Sequence, residues 1–109
     1  MIYVVETEER SLYEYADASE AIQACEALDV EAAMWLFWDE TGQPLEPIFT
    51  TPNKRGLFRA TNGEYHLEPA DVDSFPHLSE AIEEVLNIEK SITNRSIDEV
   101  RRSIGSVGV

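Results

Sequence analysis

Apolar positions along this chain switch between a period of two and a period near 3.6, and the switches mark its elements. The densest block is Ala33-Met34-Trp35-Leu36-Phe37-Trp38, stopped by Asp39-Glu40-Thr41-Gly42. An aromatic-rich run this short, bounded by turn residues, predicts a central strand buried on both faces. Alternation would send Ala33, Trp35 and Phe37 to one face and Met34, Leu36 and Trp38 to the other.

Upstream, residues 1–7 and 11–15 read as two strands joined by the polar turn Glu8-Glu9-Arg10. Asp17-Ala18-Ser19-Glu20 is a capping-box pattern, and Ala21, Ile22, Cys25 and Leu28 then share a face, which predicts a helix over 18–28. Downstream, 45–50 reads as a strand. Pro44 and Pro47 place it at an edge. Asn62-Gly63 predicts a type I′ hairpin between 56–61 and 64–68. Leu78, Ala81, Ile82, Val85 and Leu86 form the stripe of a predicted helix over 75–90. Ser96-Ile97-Asp98-Glu99 is a second capping box, opening a short helix with Ile97, Val100 and Ile104 on one face. Residues 105–109 read as a frayed tail. These elements predict one α+β domain over 1–109: a mostly antiparallel sheet of about five to six strands with helices packed on one face.

Composition sharpens the picture at one point, the charge. Twenty-two acids against eight bases give a net charge of -14 on a chain that is 43% hydrophobic, so this is a folded acidic domain and not an acidic tail. The first fifty residues hold twelve of the acids and a single base, Arg10. Such a field repels nucleic acid and anionic membranes and attracts basic partners. One cysteine excludes an internal disulfide and favours a reducing compartment. The acidic N-terminus argues against a signal peptide, and no apolar run reaches membrane-spanning length. A cytoplasmic location is expected.

Catalytic patterns are missing. There is no phosphate-binding glycine loop, paired-cysteine zinc pattern or nucleophile elbow. Cys25 falls on a buried helical stripe, which suits a core thiol. His66 lies between Glu64 and Glu68 at i±2, a possible metal half-site or acid–base cluster, with a solvated hairpin face as the simpler reading. His77 reads as a cap or surface residue. Lys54, Arg55 and Arg59 surround Phe58 in the one basic cluster; ion pairing with the acidic half is its simplest role. The expectation is a protein that is not an enzyme and uses no cofactor or metal.

The acids group around the turns and the first helix. An acidic rim beside an aromatic anchor is suited to binding a basic protein. The candidate partner-binding residues are Asp39, Glu40, Glu46, Trp38, Glu31 and Glu14. Three stretches add a resemblance: Tyr13-Glu14-Tyr15-Ala16-Asp17-Ala18-Ser19-Glu20-Ala21-Ile22, then Trp35-Leu36-Phe37-Trp38-Asp39-Glu40-Thr41-Gly42-Gln43-Pro44-Leu45, and Phe49 to Gly56 with Gly63 to Pro69. In these, and in its small, acidic, cysteine-poor character, the chain resembles the immunity proteins of bacterial contact-dependent growth inhibition and related polymorphic toxin systems. The resemblance implies a cognate toxin domain as partner, often a basic nuclease, neutralised by one-to-one binding over its active site or substrate groove. It implies no direct nucleic-acid or membrane contact, and a monomer is expected. Two other readings share the residues. One is an acidic nucleic-acid mimic inhibiting a host or phage-defence complex. The other is a small enzyme or ligand-binding domain using Glu64, His66 and Glu68.

Overall fold

The strand that the rest of the fold pairs with is the first. In the computed structural model, which describes residues 1–105, β1 (Ile2–Glu6) is buried along its whole length. It pairs antiparallel with β2 (Ser11–Tyr15) on one side and with the aromatic strand β3 (Trp35–Asp39) on the other, each over five positions. β4 (Pro44–Thr51) and β7 (Glu64–Pro69) extend the sheet beyond β3, and β8 (Asn87–Lys90) extends it beyond β2. The order is β7-β4-β3-β1-β2-β8, all antiparallel except β2 with β8. A separate two-stranded ribbon is made by β5 (Lys54–Arg55) and β6 (Ala60–Thr61). The α+β class and the mostly antiparallel sheet therefore stand as expected.

Helices cover both faces of the sheet, where the sequence suggested one. Ile2 and Val4 of β1 pack with Phe37 and Tyr65 beneath α1 (Ala18–Ala24) and α2 (Ala27–Glu31). Tyr3 and Val5, on the alternate face, pack with Trp38 beneath α3 (Leu78–Ala81) and α4 (Ile97–Gly105). A strand whose first four residues are all apolar has two faces to bury, so one layer of helices cannot satisfy it. The aromatic strand follows the same logic from Phe37 onward. Its start is later than predicted, because Ala33 turns to a φ of 58° and closes α2.

Four further local expectations change. The helix over 18–28 is two helices, broken at Cys25, which is extended. The helix over 75–90 stops early: α3 runs into a 3₁₀ turn at Ile82–Glu84, and Val85 is already extended. The open edge of β2 takes the following residues as a parallel strand, with Leu86 N–H donating to Arg10 O at 2.8 Å and Ser11 Oγ–H to Asn87 Oδ1 at 2.8 Å. Leu78, Ile82 and Val85 are buried as expected, but Leu86 is left exposed. β4 is not an edge strand; it lies between β3 and β7. Its register with β3 covers only Phe37↔Leu45 and Trp38↔Pro44, and the strands part where Pro47 lacks a donor.

Asn62-Gly63 is not a hairpin turn. β6 pairs with β5 and β7 with β4, and neither Asn62 nor Gly63 has a positive φ. The pair instead ties the ribbon to the body. Asn62 Oδ1 accepts the Leu28 N–H at 3.0 Å at the start of α2, and Gly63 N–H donates to Asn53 Oδ1 at 2.7 Å. A Cβ on Gly63 would stand 2.0 Å from the Thr51 carbonyl oxygen, so glycine is required by close backbone approach.

Both capping boxes form. Glu20 N–H donates to Asp17 Oδ1 at 2.9 Å while Glu20 Oε2 accepts from Ala16 N–H; Ser96 and Glu99 bond reciprocally at 3.2 Å. Of the predicted tail, Gly105 closes α4, and 106–109 lie outside the described residues. No helix of the described residues is long and apolar enough to cross a membrane. Gly63→Ala should cost about 1–3 kcal/mol by forcing two backbones apart. Urea unfolding measures it; an unchanged midpoint would contradict the close approach.

Candidate functional site

The parting of β3 and β4 opens the sheet next to its most aromatic strand. The loop at 71–76 folds over the opening. Asp71 shapes that loop: its Oδ1 accepts the Asp73 N–H at 2.9 Å, its Oδ2 accepts the Ser74 hydroxyl at 3.2 Å, and its carbonyl accepts the N–H groups of Ser74 and Phe75. The Trp38 indole N–H then donates to the Pro76 carbonyl at 2.9 Å and pins Phe75-Pro76 beside the strand. What results is an apolar groove of about 170 Å³ lined by Val30, Trp35, Leu36, Leu45, Glu46 and Phe75, among others. A second concavity of about 390 Å³ shares Leu36, Trp38 and Pro76 with it and runs on to Ala81 and Glu84.

Its floor is open to solvent. Leu36 is 37% exposed and Phe75 41% exposed. Glu46 lines the groove and Glu84 the adjoining concavity, with Asp73 on the loop that carries Phe75. Glu84 also meets Arg10 at 3.7 Å. An exposed apolar floor between carboxylates fits a partner whose apolar anchor is flanked by basic groups.

The six residues proposed from sequence scatter. Glu46 is in the groove and Glu40 is exposed at the β3–β4 turn. Asp39 is turned inward, its Oδ1 accepting from Thr41 N–H, the Thr41 hydroxyl and Gln43 N–H, so it builds that turn. Glu31 is exposed but engaged with Asn53 Nδ2 at 3.1 Å and with Arg55 at 3.3 Å. Trp38 is 2% exposed, and so cannot be the surface anchor. It acts from below, by fixing the loop. Glu14 is completely buried and is excluded from any interface. Leu36, Phe75 and Glu84 lie outside the residues the sequence singles out. An unbroken apolar run predicts a strand buried throughout, which hides Leu36, and apolar periodicity predicts a helix start at Phe75 although Phe75-Pro76 is a loop dipeptide.

A larger cleft lies elsewhere, about 490 Å³ between α1, α2 and β7, and is lined by Gln23, Cys25, Glu26, Asn62, Glu64 and His66, among others. Glu64, His66 and Glu68 are exposed on one face of β7, with His66 Nε2 and Glu68 Oε2 3.1 Å apart. Among the described residues no group of three or more histidine, cysteine or acidic side chains is placed to hold a metal ion. Burial, reinforced by Asp29, pushes the Cys25 thiol up to about 12, so it stays protonated at neutral pH and is a poor nucleophile. His77 is a cap, its Nδ1 accepting the Ser79 N–H at 3.1 Å.

In comparisons with known proteins, no family model, no curated protein and no solved structure matches this chain.

Glu14 has a structural task. Its Oε1 accepts the N–H groups of Ile92 and Thr93 at 2.9 and 3.1 Å and the hydroxyls of Ser91 and Thr93, and Arg95 stands 3.7 Å from Oε2. Burial by itself would raise the pKa of this carboxyl; the hydrogen bonds from Thr93, Ile92 and Ser91 outweigh it and hold the pKa below its ordinary value. A carboxyl with a lower pKa folded than unfolded contributes its full stabilisation at neutral pH and loses it as pH falls through the carboxylate range. Glu14→Gln should therefore cost roughly 3 kcal/mol at pH 7 and less at pH 3. Equal destabilisation at both values would contradict the ionised clamp.

Proposed function

We propose that this chain is an immunity protein, which binds a basic toxin domain and blocks its active site or substrate groove. The observation that carries the reading is the acid-rimmed apolar groove around Leu36 and Phe75. It joins, at one place, the two features such a partner requires. The carboxylates of Glu46, Glu84 and Asp73 steer a basic surface on approach, and the exposed leucine and phenylalanine anchor it once docked.

Charge also supports the reading. Much of the net -14 is carried outside the core, because among the described residues only Glu6 and Glu14 are buried acids. The groove gives this charge a direction. A nuclease that presents lysine and arginine to phosphates offers the complementary face, and a carboxylate array occupies the ground that the phosphates would take. The cytoplasm, where a toxin acting on nucleic acid meets its substrate, is the compartment this function requires.

The test takes the gene immediately upstream, whatever it encodes, and co-expresses its C-terminal domain with this chain; the reading expects that domain to be toxic. Co-expression should restore growth, and the two chains should co-purify. In stopped-flow association, Glu46→Lys with Glu84→Lys should slow binding by about 10-fold or more and flatten its salt dependence. Phe75→Ala should mainly accelerate dissociation, by about 30-fold. Rates indifferent to all three changes would remove the groove from the interface, and failure to rescue growth would remove the immunity reading.

A further inference from the structure

The β5–β6 ribbon is of opposite character to the acidic body. It holds three of the chain's eight bases, Lys54, Arg55 and Arg59, and none of its 22 acids. At its tip Leu57 is 89% exposed and Phe58 94% exposed. The Gly56 N–H donates to the Arg59 carbonyl at 2.7 Å and closes the turn that presents them.

The ribbon is held in place at its base. Asn53 Nδ2 donates to the Ala27 carbonyl at 3.0 Å, Asn62 Oδ1 accepts from Leu28 N–H, and Arg55 reaches Glu31. These ties set the arm before anything binds, which lowers the cost of ordering it on contact. They use only one of its three charges. Lys54 and Arg59 have no ion-pair partner among the described residues, so only Arg55 of the cluster takes the ion-pairing role expected of it.

Such an arm needs an apolar cavity with an acidic rim, and this chain carries one. We propose that the arm of one copy docks in the β3–β4 groove of a second copy, with Phe58 inserted beside Leu36 and Phe75 and with Arg59 and Lys54 facing Glu46. The groove's volume of about 170 Å³ suits a single aromatic ring, since an apolar cavity of about 150 Å³ holds benzene. Charge complementarity selects this occupant: the arm is wholly basic, and the groove it would enter is lined by a carboxylate and no base. Where each arm enters the other's groove, the two contacts close as a two-fold pair and do not propagate. This inference does not rest on toxin binding, and the pair forms from the isolated chain.

Sedimentation equilibrium of the purified chain at low salt should show a dimer, dissociating as salt is raised. Phe58→Asp should weaken it by at least about 30-fold. Glu46→Lys should weaken it as well, and Arg59→Glu in the same chain should restore much of the loss. Both Phe58 and Glu46 reach solvent, so the fold is retained, which near-UV circular dichroism checks. A mixture of Phe58→Asp and Glu46→Lys chains keeps one intact contact and should give a mixed pair. A wild-type chain that stays monomeric at about 200 µM, or a dimer indifferent to Phe58→Asp, overturns the inference. The proposed function assigns the same groove to a toxin domain, so the second copy and the toxin would compete for it; loss of the dimer leaves growth rescue intact, and loss of rescue leaves the dimer intact, so the two readings fail separately.

Discussion

The fold depends on one carboxylate held where carboxylates are rarely found. Glu14 lies on β2, wholly buried, and collects the backbone and hydroxyl donors of Ser91, Ile92 and Thr93. Those residues join β8 to α4, so the clamp fixes both the parallel edge strand and the helix that closes the second core. Arg95 completes it from the same loop, donating to the Tyr3 hydroxyl at 2.6 Å on β1. Ionisation is what makes the arrangement stable: four donors converge on one oxygen, and only a charge repays their desolvation and its own. This acid is spent on holding the structure together, which leaves the remaining acids to set its surface.

The same strands that make two cores also make the groove. β1 is apolar from Ile2 to Val5 and demands cover on both faces, which draws α1 and α2 to one side and α3 and α4 to the other. β3 is in full register with β1 but with β4 over only two positions. Pro47 prevents the ladder from closing, and the Trp38 indole recruits Pro76 and Phe75 to the gap. A binding surface thus arises from a local failure of strand pairing. Nearby carboxylates give it its sign, and the basic arm at the other end of β4 carries the complementary sign in the same molecule.

Much of this is legible in the sequence where local chemistry decides. The caps at Asp17 and Ser96, the first hairpin and the antiparallel, mixed character follow from residues that act on their neighbours. Legibility fails where a distant partner overrides local preference. Residues 87–90 have helical periodicity, yet the unpaired edge of β2 takes them as a strand. Asn62-Gly63 has hairpin chemistry, yet Leu28, Asn53 and Thr51 fix it as a tether. Acidity alone marked Glu14 as a surface residue; nothing local signals that Ser91 to Arg95 will enclose it. For the groove, Glu46 and the role of β3 were visible. Phe75 and Glu84 were not, since 75 and 84 reach β3 only through the tertiary path that Trp38 anchors.

We propose that the groove between β3 and β4 is the surface on which a basic toxin domain docks. Hydrogen–deuterium exchange of the chain, alone and with the toxin domain that the co-expression test recovers, tests this most directly. Protection should rise at 35–38, 44–47 and 73–76, with the β7 face carrying Glu64 and His66 unchanged. Protection confined to that face and α1, with the groove exchanging as in the free chain, would contradict the account.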